Sequence, residues 1–185
     1  LGNRIILSGL IQQSLPNMDP SHLSQVLIAL DKLAKIGNEA VHDLLLKIPE
    51  VKSDEVGQLL RIFSLGTANE QLAEVRSLLH SDSASLGELD RIEKTVLCLQ
   101  SLLPEDGRAK VQVDLSIARG LGYYTGIVFE TTLDGLDGFG SISSGGRYNR
   151  LTSRFSSLDL PGVGGSIGVD RLLAALEVGE EEKLQ

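Results

Sequence analysis

A single cysteine stands in 185 residues, so no internal disulfide can form, and the chain suits a cytosolic, reducing setting. That cysteine, Cys98, falls in a helical pattern and is expected to be a small buried residue. Histidine is almost as scarce: His22, His42 and His80 are far apart and lack the spacing of helical metal ligands, which argues against a metal site. No run of 18 apolar residues exists, so no membrane span is expected. Cations are outnumbered, 17 Lys and Arg against 25 Asp and Glu, for a net charge of −8. This balance speaks against nonspecific nucleic-acid binding, which needs a concentrated cationic surface. The chain begins at Leu1, with neither an initiator methionine nor a basic segment followed by an apolar one. It therefore reads as an excised piece and not as a secreted precursor.

What is present divides into two compositions. From about residue 19 to 103 the chain reads as helix after helix. Asp19-Pro20 supplies an N-cap and a proline at the first helical position, with Leu23, Val26, Leu27, Leu30 and Leu33 on one face. Thr67-Ala68-Asn69-Glu70 and Ser85-Leu86-Gly87-Glu88 each fit a capping box. Leu72, Val75, Leu78 and Leu79 follow the first, and Leu89, Ile92, Val96 and Leu99 the second. These stripes are expected to form a core. Pro104-Glu105-Asp106-Gly107 then ends the helical pattern.

Beyond Gly107 the period changes to that of strands. Val111, Val113, Leu115 and Ile117 alternate with polar residues, and the β-rich run from Ile127 to Thr132 is expected to return antiparallel. Between them lies Ala118-Arg119-Gly120-Leu121-Gly122-Tyr123-Tyr124, a glycine-rich turn bearing an arginine and two tyrosines. A further short strand is expected over 139–143, followed by Ser144-Gly145-Gly146-Arg147-Tyr148-Asn149, read alone as a turn leading into a helix. Last comes a small-residue run from Pro161 to Gly168 that gives way to a helix with Arg171 in or near its first turn. A guanidinium there can grip phosphate oxygens in a bidentate fork. The Gly162-x-Gly164-x-x-x-Gly168 spacing does not match a dinucleotide-binding fingerprint, and no βαβ unit surrounds it.

In this order the three segments resemble the histidyl-tRNA synthetase family of class II aminoacyl-tRNA synthetases. Arg119-Gly120-Leu121-Gly122-Tyr123-Tyr124 resembles the family's Arg-Gly-Leu-Asp-Tyr-Tyr signature, with Gly122 in place of the usual aspartate. Gly145-Gly146-Arg147-Tyr148 matches its second histidine-site signature, and the run from Pro161 to Leu176 looks like motif 3. Asn3-Arg4-Ile5-Ile6-Leu7 is similar to the stretch where the family leaves its catalytic core for a helical insertion.

The resemblance implies an α+β fold: a helical insertion bundle followed by part of an antiparallel class II synthetase sheet with a backing motif 3 helix. It divides the chain into residues 1–18, a remnant of the catalytic core, 19–105, the helical insertion, and 106–185, the C-terminal half of the core. It further implies activation of histidine with ATP, accompanied by Mg²⁺, and transfer to tRNA(His) by a cytoplasmic homodimer. In its terms Arg119 is catalytic and also touches ATP, with Arg171 and Gly168 as further ATP contacts. Tyr123, Tyr124, Gly145, Gly146 and Tyr148 would hold histidine, Tyr123 serving more to pack the turn. Motifs 1 and 2 are missing, so this piece alone is expected to be inactive. Two rivals stand beside it: a non-catalytic synthetase-like regulatory subunit of ATP phosphoribosyltransferase, and a helical protein-interaction module. The retained Arg119 and Arg171 and the long helical block weigh against the first.

Overall fold

The computed structural model describes residues 1–117, 124–158 and 160–181. It divides into two compact units, Leu1–Gly122 and Tyr123–Gln185. The expected turn over 118–123, with Arg119 and Tyr123, lies outside the described residues.

The first unit is helical. A short extended segment, Gly2–Asn3 (β1), leads into α1, Arg4–Ser14. There follow α2, Leu23–Leu30, α3, Leu33–Leu45, α4, Ser53–Phe63, α5, Ala68–Leu78, and α6, Ser83–Leu102. Helix α1 is the hub, touching α2, α4, α5 and α6. Its Ile6, Leu7, Leu10 and Ile11 are fully enclosed and join Leu30, Leu45, Leu59, Ile62, Leu89 and Ile92 in one continuous core. The approach of α6 to α1 depends on Gly9, where a Cβ would fall 2.5 Å from the Ser85 hydroxyl.

Local chemistry sets the helix ends. Asn3 caps α1, its Oδ1 accepting from the backbone N–H groups of Ile5 at 2.9 Å and Ile6 at 3.3 Å. Its amide donates to Glu88 Oε2 on α6 at 2.7 Å, so the cap is also an inter-helix tie. Thr67 and Glu70 form the expected reciprocal capping box. Asp19 caps as expected with Pro20 behind it, but the element they begin is a single 3₁₀ turn, Pro20–His22, before α2.

Four local expectations are corrected. The cap of α6 is Asp82, not Ser85: Asp82 accepts from the N–H groups of Ala84 and Ser85, and the buried Ser85 hydroxyl donates to its carboxylate at 2.6 Å. An aspartate three residues upstream takes the donors first. Cys98 is exposed, because the buried face of α6 follows Ser85, Leu89 and Ile92 and leaves position 98 on the far side. The alternating run after Gly107 forms no regular strand over 109–114 and turns at 115–116. There Leu1 is its partner, donating to the Gln112 carbonyl at 2.7 Å and accepting from the Asp114 N–H at 2.8 Å. Finally, the strand expected over 139–143 occurs four residues later.

The second unit contains β2, Ile127–Thr131, β3, Ser143–Arg147, β4, Val163–Ile167, and α7, Val169–Glu181. The strands pair antiparallel in sequence order, with Val128 opposite Gly146 and Gly146 opposite Gly164. The architecture of the whole is α+β, as the sequence implies. No helix among the described residues is long and apolar enough to cross a membrane.

Candidate functional site

Directly opposed residues on antiparallel strands send their side chains to the same face, and neighbours along a strand alternate. The register therefore sorts the glycines into two rows. Val128, Gly146 and Gly164 lie on one face, and Phe129, Gly145 and Gly165 on the other.

On the first face the row of missing side chains is filled by tyrosines. A Cβ on Gly146 would fall 2.9 Å from the Tyr124 ring, and one on Gly164 would overlap the Tyr148 hydroxyl oxygen. The two half-buried rings meet at a tilt of 51° with centroids 6.5 Å apart. Backbone bonds bring them there. The Thr125 N–H donates to the Arg147 carbonyl at 2.8 Å, the Asn149 N–H to the Thr125 hydroxyl at 3.0 Å, and the Tyr148 N–H to the Gly162 carbonyl at 2.8 Å. Arg147 turns back on its neighbour, donating from Nε to Asn149 Oδ1 at 2.9 Å. Such a pair of phenols offers flat apolar walls with hydroxyl groups able to donate or accept.

On the second face a Cβ on Gly145 would fall 2.6 Å from the tip of Phe129, and one on Gly165 2.8 Å from it. So Gly145 and Gly146, adjacent in sequence, serve opposite faces.

Arg171 is the third residue of α7, in its first turn as expected, and is exposed. Its Nη1 donates to the Ser141 carbonyl at 2.8 Å. The Gly168 N–H donates to the adjacent Ile142 carbonyl at 2.8 Å, which fixes the start of the helix against the entry to β3. The tyrosines stand at the exit of β3 and Arg171 beside its entry. Four residue steps of strand separate these ends, roughly 13 Å.

The structure thus brings together Tyr124, Gly146 and Tyr148, places Gly145 on the reverse face, and sets Gly168 and Arg171 at the other end of the same strand. Gly162, Gly164, Thr125 and the carbonyls of Ser141 and Ile142 were missed as contributors. For the glycines a signal existed: a spacing of two in a strand puts both on one face. Among the described residues no three His, Cys, Asp or Glu side chains come together as a metal centre.

A family model described as histidyl-tRNA synthetase matches residues 1–172. A histidine--tRNA ligase of Rhodopirellula baltica is 39% identical over 178 residues, covering 96% of this chain and 39% of the relative. One from Helicobacter hepaticus is 41% identical, covering 100% of this chain and 41% of the relative. The crystal structure of histidyl-tRNA synthetase from Nostoc sp. PCC 7120 superposes with a TM-score of 0.81 at 32% identity, over 96% of this chain and 41% of that one. An ATP phosphoribosyltransferase regulatory subunit/histidyl-tRNA synthetase from Bacillus halodurans gives 0.74 at 21% identity, over 95% and 43%, a likeness of fold alone. The chain spans about two-fifths of the length of the curated relatives it matches.

Proposed function

The chain belongs to the histidyl-tRNA synthetase family, and from that premise we propose that it supplies part of the catalytic core and the helical insertion of an enzyme that charges tRNA(His). In this reading residues 106–185 belong to the core and 19–105 form the insertion, which grips the acceptor stem of the tRNA, while residues 1–18 lead from the core into the insertion and supply α1, which packs among the insertion's helices. The complete polypeptide is a cytoplasmic homodimer. This piece alone does not activate histidine.

The observation that carries the reading is the arrangement along β3: the Tyr124 and Tyr148 rings packed over Gly146 and Gly164 at one end and the Arg171 guanidinium at the other. An amino acid joined to a nucleotide is an elongated anion, and the roughly 13 Å between these ends suits its two extremities. Neutral imidazole carries one donor and one acceptor nitrogen, which the Tyr124 and Tyr148 hydroxyls complement. Arg171, with Gly168 at the helix start, faces the triphosphate, and Mg²⁺ arrives as the counter-ion of ATP.

The reaction has two steps. A carboxylate oxygen of histidine attacks the α-phosphorus of ATP, the bond to the β-phosphate oxygen breaks, and pyrophosphate leaves with the electron pair. A terminal ribose hydroxyl of the tRNA then attacks the activated carbonyl, and AMP departs. Both partners of the first step are anions, so repulsion is its chief barrier and cationic donors are its chief remedy. Arg119 fills that role between carboxylate and α-phosphate. Gly122 stands where the family usually has aspartate.

The test is histidine-dependent exchange of pyrophosphate into ATP by the complete polypeptide. Exchange is expected with histidine alone among amino acids. Arg119→Ala should lower its rate by roughly 10²–10³ while the circular dichroism spectrum is unchanged. Near-normal exchange by the variant would refute the role of Arg119, and absence of exchange by the parent would refute the function.

A further inference from the structure

Glycine occupies both inner positions of the row shared by β3 and β4, and each is roofed by one tyrosine. The Tyr148 ring lies along β4 over two glycines of one face. A Cβ on Gly162 would fall 2.6 Å from Cε2 of the ring, and one on Gly164 would fall 3.3 Å from Cζ and overlap the hydroxyl oxygen itself. The ring has little room to yield. Its own main chain is pinned by the N–H bond to the Gly162 carbonyl at 2.8 Å, and the Tyr124 ring is a neighbour with its centroid 6.5 Å away. The ring atoms nearest a Cβ on Gly146 are Tyr124 Cδ1 and Cε1. At Gly164 the nearest atom is the Tyr148 hydroxyl oxygen, so its bare Cα bears directly on the position of a phenolic oxygen.

We infer that Gly164 is a positioning residue for the amino-acid pocket: by lacking a side chain it fixes the height of the Tyr148 hydroxyl above the sheet. The inference rests on the proposed function, since it takes that hydroxyl to touch the amino-acid substrate. A methyl group at 164 lifts the oxygen away from the strand, and the substrate loses a polar contact while the triphosphate end, at the far end of β3, is undisturbed. Gly164 acts only through Tyr148, so removing the Tyr148 hydroxyl removes both the overlap and the contact.

The test is a double-mutant cycle in the complete polypeptide, read by pyrophosphate exchange, with KM for histidine and for ATP determined separately and folding followed by thermal melting. Gly164→Ala is expected to raise KM for histidine about tenfold, the worth of one polar contact, with KM for ATP changed less than about twofold. Tyr148→Phe should do the same, and the double variant should be no worse than Tyr148→Phe alone. Should Gly164→Ala fail to fold, the double variant is expected to recover the fold, because the overlapping atom is gone. An unchanged KM for histidine in Gly164→Ala, a multiplied defect in the double variant, or loss of fold in both would overturn the inference and leave Gly164 a strand-pairing residue. Those outcomes presuppose exchange by the parent. If the parent shows none with histidine, the functional reading fails first and this inference with it.

Discussion

Enclosed in the unit 1–122 are Leu10, Leu30, Leu59 and Leu89, whereas in the unit 123–185 Val163, Ile167, Val169, Leu173 and Leu176 are each more than half exposed. Among the described residues of the second unit, the buried apolar side chains are Val128, Ile142 and Ala175. One unit is held by packing. The other is held by strand pairing and by close approaches over glycine, and it carries the tyrosines and Arg171. A site made of backbone and small residues can place rings to within a fraction of an ångström, but it contributes little hydrophobic stabilisation of its own.

The largest expected effect separates these two modes. Leu59→Ala should destabilise the helical unit by about 2–5 kcal/mol, while the same truncation at Leu173, 54% exposed, should stay within about 0.5 kcal/mol. Urea unfolding followed by circular dichroism measures both, and equal losses would dissolve the contrast. Next comes Gly9→Ala, which drives a methyl group into the Ser85 hydroxyl at the α1–α6 crossing. A loss of about 1–3 kcal/mol in the same experiment is expected. No change would mean that the crossing has slack.

The smallest effect concerns pH. Hydrogen bonds from the Ser85 hydroxyl and backbone N–H, then from the Ala84 N–H, hold the Asp82 carboxyl below its ordinary range, with burial opposing them. A carboxyl whose pKa is lower folded than unfolded contributes stability above the unfolded value of about 3.9, and that contribution is lost as pH falls through the folded one. The urea midpoint should therefore drop in acid, and Asp82→Asn should flatten part of that drop. A midpoint slope identical in the variant would place the acid sensitivity elsewhere.

Much of the helical unit was readable because its signals are local. Leu72 and Val75 repeat at helical spacing, and Thr67 stands three residues before Glu70; both facts concern one turn. The failures were local rivalries: Asp82 outcompeted Ser85 for the same N–H groups, and an exposed flank of α6 took Cys98. In the strand unit the residue types were visible but their arrangement was not. Gly145 and Gly146 look interchangeable in sequence, and only the pairing with β2 and β4 assigns one to Phe129 and the other to Tyr124. Strand β3 itself was displaced because a run of Ser and Gly has weak intrinsic preference for a strand and is recruited by its neighbours.

The fastening of the first residues has a consequence for how the chain reaches this state. Asn3 is tied to Glu88, 85 positions away, and Leu1 to Gln112, 111 positions away. Helix α1 is central to the bundle, yet its leading end is clasped by late-arriving segments. Closing loops of that span must precede any reward from the contacts they bring, so the assembly rate of this unit is governed by a search between distant segments and not by the microsecond growth of its helices.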